Sequence, residues 1–206
     1  MSTRRGGAVT AGPWAYEVAE LGGEPPTAPT APAGWLVMDS PIGTLHLTAS
    51  ERGLVAVAFA ETHTDQHVAP TTPPAARAHL LDAQDQLRAY FAGTRERFDL
   101  SLDLSGRRGI ALEVTEYLLT MPYGQRASYA QVAAALGRPG AQRAVGSACA
   151  RNPLLVVVPC HRVIRADGSI GAYRGGRSAK AWLLTHEAAV ATRTASDVSG
   201  RPTAQR

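Results

Sequence analysis

Cys160 and His161 stand side by side, one proline after the apolar run 154–158. The thiolate is the nucleophilic form of cysteine, and a neighbouring imidazole can take the thiol proton directly or through a water molecule. The pair is therefore a candidate nucleophile with its base. The alternative is an inert core residue, because a cysteine that follows an apolar run is commonly buried and unreactive.

The residues around this pair carry a resemblance to a known family. Asn152-Pro153 opens the segment, Pro159-Cys160-His161-Arg162-Val163 closes it, and Gly171-Ala172-Tyr173-Arg174-Gly175-Gly176 follows. The segment resembles the O6-alkylguanine-DNA alkyltransferase family, whose hallmark is the Pro-Cys-His-Arg-Val motif. The resemblance spans residues 35–187 and is densest over 122–187. It implies a protein that flips O6-alkylguanine out of the duplex and transfers the alkyl group irreversibly to Cys160, with no metal and no other cofactor.

The same resemblance implies roles for residues near the nucleophile. Glu187, in Trp-Leu-Leu-Thr-His-Glu, should orient His161, which draws the Cys160 proton through a bound water. Tyr129 should donate toward the base ring, unless it only packs on its helix. Asn152 should bridge the recognition helix to the active-site segment, unless it only caps that helix. Contacts to the base or the DNA are expected from Pro159, Val163, Tyr173 and Arg174 and from Arg143, Ala144, Gly146 and Ser147.

Two short helices precede the candidate nucleophile. Ser128-x-x-Gln131 is a capping-box signature, and the apolar spacing that follows predicts an amphipathic helix ending at Gly137. A second helix is predicted from residue 141 to about residue 150, after a tight turn at 138–140. Helix, short turn and helix is the layout of a helix-turn-helix DNA-binding unit.

The outer face of the second of these helices has unusually small side chains. Gly146, Ser147 and Ala150 offer few groups that could read base edges, and Arg143 gives one long reach. Such a face suits the minor groove and recognition by shape, although small residues also permit close packing of another helix. By resemblance, Arg143 enters the base stack in place of the extruded nucleotide. The expected partner is double-stranded DNA containing O6-alkylguanine, bound by a monomer; cooperative binding stays open.

Charge separates the two halves of the chain. Residues 107–187 hold 11 Arg and Lys against 4 Asp and Glu, a net charge of +7, whereas residues 35–106 have a net charge of −4, from 5 Arg against 9 Asp and Glu. A basic half attracts phosphates, although a basic patch is also common on solvated surfaces. The two cysteines do not suggest a secreted disulfide framework or a zinc site. With no apolar run long enough for a membrane span, we expect a cytoplasmic protein.

The predicted fold class is α+β. Residues 1–34 and 188–206 are predicted to be disordered tails, with residues 35–106 as a small structural domain of sheet and helix between them and the DNA-binding domain. That first domain should contain an antiparallel sheet over 35–59, a helix over 75–92 and a strand over 98–104. Residues 107–187 should form a mostly helical, winged-helix-like domain with the helix-turn-helix, opened by a helix over 112–120.

Functions of other classes remain as alternatives. A DNA-binding regulator with Cys160 as a sensor would favour polar base-reading side chains on the second short helix, which has few. A cysteine hydrolase would need an oxyanion hole, and adjacent Cys and His are poorly placed for direct proton transfer. A damage sensor would bind alkylated DNA without repairing it.

Overall fold

The computed structural model describes residues 31–60 and 68–199, so most of the predicted amino-terminal tail lies outside the described residues. The first half is an antiparallel sheet in the order β1, β2, β3, formed by Gly34–Met38, Leu45–Ser50 and Gly53–Phe59. Helix α1, Pro74–Phe91, packs against all three strands. The predicted sheet and helix are both confirmed.

Simple periodicities explain these elements. Leu45, Leu47 and Ala49 alternate along β2 and are fully buried, as expected for a strand with one face on the core. Along α1 the buried residues follow helical spacing and end at Tyr90, which has no exposed surface. Proline at the start of α1 costs no hydrogen bond, since the first helical N–H groups have no partner inside the helix.

The first half differs from the prediction at two places. The sheet begins at Gly34, which pairs with Ala49, one residue before the predicted domain start. The predicted strand over 98–104 is wrong, because only Leu102 makes a bridge, to Leu54 of β3. Farther along β3, the hydrogen-bond partner is the segment that leads to the candidate nucleophile. The N–H of Val57 donates to the carbonyl of Pro153 at 2.8 Å, and the N–H of Leu155 donates to the carbonyl of Val57 at 3.1 Å.

The second half is mainly helical. Its elements in chain order are α2 (Gly109–Thr120), β4 (Ala127–Ser128), α3 (Tyr129–Ala135), α4 (Gln142–Ala150), a 3-10 turn (Cys160–Arg162), β5 (Val163–Ile164) and α5 (Gly176–Ser199). Strands β4 and β5 pair in parallel. One hydrophobic core runs through both halves, from β1 to Leu183 of α5. The α+β fold class is confirmed.

The helix-turn-helix forms through local signals. The Ser128 Oγ accepts from the N–H of Gln131 at 3.2 Å, and the Gln131 side chain accepts from the N–H of Ser128 at 2.7 Å, so the capping box is confirmed. Helix α4 buries Val145 and Ala148 and leaves Arg143 exposed, as its sequence pattern predicts.

The carboxyl-terminal end is more ordered than the sequence suggested. Helix α5 continues to Ser199, so the predicted disordered tail is wrong for residues 188–199; residues 200–206 lie outside the described residues. Alanines at 188, 189 and 191 favour the helix, and Val190 is buried against the end of α1 near Gly93. Within 31–60 and 68–199, none of the helices has the length and apolar character needed to cross a membrane.

Candidate active site

Cys160 is the first residue of the 3-10 turn and is only 3% exposed. Its N–H donates to the carbonyl of Val158 at 2.7 Å, and its Sγ accepts from the Asn152 side-chain amide at 3.1 Å. Burial raises the pKa of the Cys160 thiol, while the Asn152 hydrogen bond and the Lys180 charge act in the opposite direction. At rest the sulfur is therefore a protonated thiol, and its proton must leave before it can attack.

Asn152 organises the segment that carries the nucleophile. Besides the bond to Cys160, its amide donates to the carbonyls of Val158 at 3.0 Å and Leu154 at 3.3 Å, and its Oδ1 accepts from the N–H of Leu154 at 3.0 Å. Within this segment Val156 is buried at φ 71°, a left-handed conformation that is rare for a β-branched residue. Such strain persists only where surrounding contacts hold it in place, and Asn152 supplies several of those contacts.

His161 is buried next to Cys160 and is oriented by Glu187. Its Nε2 lies 2.9 Å from Oε1 of Glu187. A carboxylate only accepts hydrogen bonds, so Nε2 must carry the hydrogen and Nδ1 is left as the basic nitrogen. Nδ1 is buried and no group among the described residues hydrogen-bonds to it. Burial lowers the pKa of His161, opposed by the bond to Glu187, so the imidazole rests neutral and able to accept a proton.

Glu187 lies at the centre of a buried polar network. Arg162 donates to both carboxylate oxygens, with Nε 2.9 Å from Oε2 and Nη2 2.9 Å from Oε1. The Tyr90 hydroxyl donates to Oε1 at 2.8 Å, and the N–H of Gly124 donates to Oε2 at 3.1 Å. Burial alone would raise the pKa of Glu187, but the hydrogen bonds from His161 and Arg162 and the charge of the Arg162 guanidinium outweigh it and lower the pKa to about 2. Glu187 is therefore a carboxylate at neutral pH.

A cavity of about 220 Å³ opens beside Cys160. Its lining residues are Tyr129, Gly146, Cys149, Ala150, Cys160, Ala172, Tyr173 and Arg174. Five of these were expected site residues: Tyr129, Gly146, Cys160, Tyr173 and Arg174. The lining combines small side chains of α4 with the aromatic rings of Tyr129 and Tyr173, which suits a flat ring ligand.

The remaining predicted residues lie around this cavity and do not line it. Arg143 and Ser147 are exposed on α4, and Ala144 is half-buried. Pro159 and Val163 are buried on either side of the 3-10 turn. Asn152, His161 and Glu187 lie behind the nucleophile as the network described above.

Three buried residues of this region were not predicted as site residues. Arg162 and Tyr90 bind Glu187, and the Lys180 ammonium donates to the carbonyl of Val163 at 2.6 Å. Arg162 belongs to the Pro-Cys-His-Arg-Val motif, and Lys180 is the single lysine of the chain, so both could have been selected from the sequence as candidate site residues. Tyr90 is 97 positions from Glu187, and no local pattern could indicate that contact.

The second cysteine also differs from a plain core residue. Cys149 is buried, and it also lines the cavity that Cys160 lines. Burial raises the pKa of the Cys149 thiol to about 12, so it is a poor nucleophile. Among residues 31–60 and 68–199, no group of three or more His, Cys, Asp or Glu side chains could hold a metal ion.

Two protein-family models match the chain, one in each half. The family described as “6-O-methylguanine DNA methyltransferase, DNA binding domain” matches residues 110–189, and the one described as “6-O-methylguanine DNA methyltransferase, ribonuclease-like domain” matches residues 35–104.

Individual relatives are similar over most of their length. The chain is 43% identical over 151 residues to a methylated-DNA–protein-cysteine methyltransferase of Mycobacterium tuberculosis (strain H37Rv), covering 73% of this chain and 89% of the relative. A protein of the same name from Methanosarcina barkeri is 36% identical, with 73% and 94% covered. The crystal structure of Mycobacterium tuberculosis OGT in complex with DNA aligns with a TM-score of 0.64 and 41% identity, covering 75% of this chain and 92% of that one.

Proposed function

Because the chain belongs to the 6-O-methylguanine DNA methyltransferase family, we propose that it repairs DNA directly by moving an alkyl group from guanine O6 to its own Cys160. One observation carries this assignment to particular atoms: Cys160 lines a cavity beside α4, and His161 and Glu187 stand behind it as base and orienting carboxylate. A methylated-DNA–protein-cysteine methyltransferase needs this combination of a nucleophile, a proton acceptor for it and a recess for the alkylated guanine.

The helix-turn-helix supplies the DNA side of the proposal. The outer face of α4 carries Gly146, Ser147 and Ala150, while Arg143 extends into solvent at its first turn. A smooth face can approach the floor of the minor groove closely, and Arg143 can occupy the space of a rotated nucleotide. Rotation is required, since an alkyl group on O6 lies within the duplex and Cys160 lies within the protein. Unstacking a base costs a few kcal/mol, and a poorly paired lesion costs less.

The proposed chemistry starts from a neutral pair. The Cys160 proton moves to Nδ1 of His161, through a water molecule, and the resulting imidazolium is stabilised by Glu187. The sulfur then attacks the alkyl carbon. The S–C bond forms while the C–O6 bond breaks, and the electron pair of that bond leaves with guanine. Tyr129, whose pKa is raised by burial, keeps its proton and donates a hydrogen bond toward the base. The departing guanine anion then takes up the proton that His161 releases, so the net products are a thioether and neutral guanine.

The thioether has no hydrolysable bond, so each molecule acts once. The decisive experiment is to incubate the protein with a duplex that contains one O6-methylguanine and to follow its intact mass. We expect a gain of one methyl group that stops at one equivalent and maps to Cys160, with Cys160→Ala as the unreactive control. A protein that binds the lesion and stays unmodified would instead be a damage sensor, and the transfer proposal would be wrong.

Two further aspects belong to the same proposal. We expect the protein to act as a monomer, since all proposed site residues come from one chain. We also expect a reducing compartment such as the cytoplasm, where Cys160 stays a free thiol. Size measurement of the protein with and without duplex DNA tests the first expectation, and a monomer bound per lesion is the predicted result.

A further inference from the structure

The end of α1 is attached twice to the turn of α5 that holds Glu187. The Tyr90 hydroxyl donates to Oε1 of Glu187 at 2.8 Å, and the ring Nε2 of His186 lies 2.8 Å from the Tyr90 carbonyl oxygen. One residue of the first half thus contacts two consecutive residues of α5. Tyr90 has no exposed surface, and burial and the Glu187 charge raise the pKa of its hydroxyl, so the hydroxyl always carries its proton.

The oxygen that Tyr90 contacts is the one that orients His161. Nε2 of His161 lies 2.9 Å from the same Oε1, so the hydroxyl and the imidazole share one acceptor. A donor on a carboxylate oxygen restrains the oxygen and also reduces the negative charge that it offers to other donors. The Tyr90 hydroxyl should therefore hold the Glu187 carboxylate in place and reduce the extent to which that carboxylate stabilises protonated His161.

We propose that Tyr90 is a positioning residue for the Cys160 reaction, acting through Glu187 on the orientation and basicity of His161. The inference rests on the proposed function for its effect on rate. It gives the amino-terminal half a part in the chemistry, although no residue of that half lines the cavity within the described residues.

The test is Tyr90→Phe, which removes only the hydroxyl. We expect single-turnover methyl transfer to slow by about tenfold, the size of effect that loss of a hydrogen bond to a charged group produces. We also expect the acid limb of the pH–rate profile to move to higher pH, because Glu187 then stabilises the His161 cation more strongly. A merely structural role would lower stability without moving that limb.

A matched control is available in the same neighbourhood. The Tyr123 hydroxyl is also buried, and no described group hydrogen-bonds to it. Tyr123→Phe should therefore keep the rate and the pH profile of the unsubstituted protein. If Tyr90→Phe behaves as Tyr123→Phe does, the proposal is overturned. Should Tyr90→Phe fail to fold, Tyr90→Met, which also lacks the hydroxyl, takes its place in the same comparison, and an unchanged rate in that variant would also overturn the proposal.

Failure of the proposed function would be visible separately. If the unsubstituted protein takes up no methyl group, repair by Cys160 is excluded, and the Tyr90 proposal is still decided by NMR titration of the His161 ring. A higher His161 pKa in Tyr90→Phe than in Tyr123→Phe supports the positioning role. Equal pKa values in the two variants contradict it.

Discussion

Replacing Asn152 should damage both the stability of the protein and the reactivity of its nucleophile. In Asn152→Ala the N–H of Leu154 loses its acceptor and the Cys160 sulfur loses its donor. The carbonyls of Leu154 and Val158 each keep a backbone partner, so only one buried group is left unsatisfied. An orphaned buried donor costs about 1–3 kcal/mol, and loss of the bond to the Cys160 sulfur costs about 1 kcal/mol more, while the two carbonyls keep their backbone donors and add little.

These terms sum to about 3 kcal/mol, a large part of the roughly 5–15 kcal/mol that stabilises a typical domain. For a chain of this size that corresponds to a fall in melting temperature of about 6–12 °C. The thiol loses a bond that lowers its pKa, so the pKa should rise further and alkylation by iodoacetamide at neutral pH should slow by about tenfold.

The assay combines thermal and urea denaturation with mass mapping of iodoacetamide-treated protein, which separates Cys160 from Cys149. Asn152→Asp is the matched variant, because it keeps an acceptor for Leu154 but removes the donor to sulfur and adds a negative charge. We expect alkylation of Cys160 in the Asp variant to be at least as slow as in the Ala variant. An Asn152→Ala protein within about 0.5 kcal/mol of the original stability, with unchanged Cys160 reactivity, would refute the reasoning.

Three further predictions concern other parts of the molecule. Arg143→Ala should slow methyl transfer from a duplex by at least about tenfold and leave transfer from a free O6-alkylguanine base unchanged, since Arg143 is proposed to act only in base extrusion; equal losses on both substrates would contradict this. Ser128→Ala should lower the free energy of unfolding, measured by urea denaturation, by about 1 kcal/mol through loss of the capping bond. An unchanged free energy would show that the capping box does not stabilise the protein. Because burial lowers the folded pKa of His161 below 6.5, the unfolded chain binds its proton first, and stability should begin to fall as pH drops through about 6.5. His161→Gln should reduce this first stage in urea midpoints measured against pH and leave the part due to His46, whose pKa burial also lowers; an unchanged profile would contradict this. The same pH series should show a second stage, because the folded pKa of Glu187 is about 2 against 4.5 for the free group; its contribution is present above about pH 4.5 and is lost between 4.5 and 2.

Features that depend on neighbouring residues were predictable from the sequence. The start of α3 follows from Ser128 and Gln131, which lie three positions apart and satisfy each other. The exposed and buried sides of α4 follow from a 3.6-residue period. The pairing of Cys160 with His161 was visible as a motif, and Glu187 was assigned by the family resemblance; the structure places it 2.9 Å from His161.

Features that depend on distant contacts were not predictable in the same way. The role of Tyr90 requires the end of α1 to meet α5, and helical periodicity assigns Tyr90 only to a buried face. The segment over 98–104 has strand-like alternation but lacks a continuous partner, since β3 turns to the 153–155 segment instead. The length of α5 was underestimated because an alanine-rich, polar composition resembles a disordered tail until a partner for Val190 is known.

The short parallel pairing of β4 with β5 affects which amino-acid substitutions this protein can accept. Ala127 pairs with Val163 and Ser128 with Ile164, so the two residues before α3 pair through their backbones with the two residues after the 3-10 turn. Backbone hydrogen bonds do not depend on side-chain identity. Substitutions on the exposed faces of α3 and α4 can therefore alter which DNA is approached while the spacing to Cys160 stays constant. We expect DNA approach and reaction chemistry to be partly separable traits in this fold, except at Gly146 and Ala150, which also line the cavity beside Cys160.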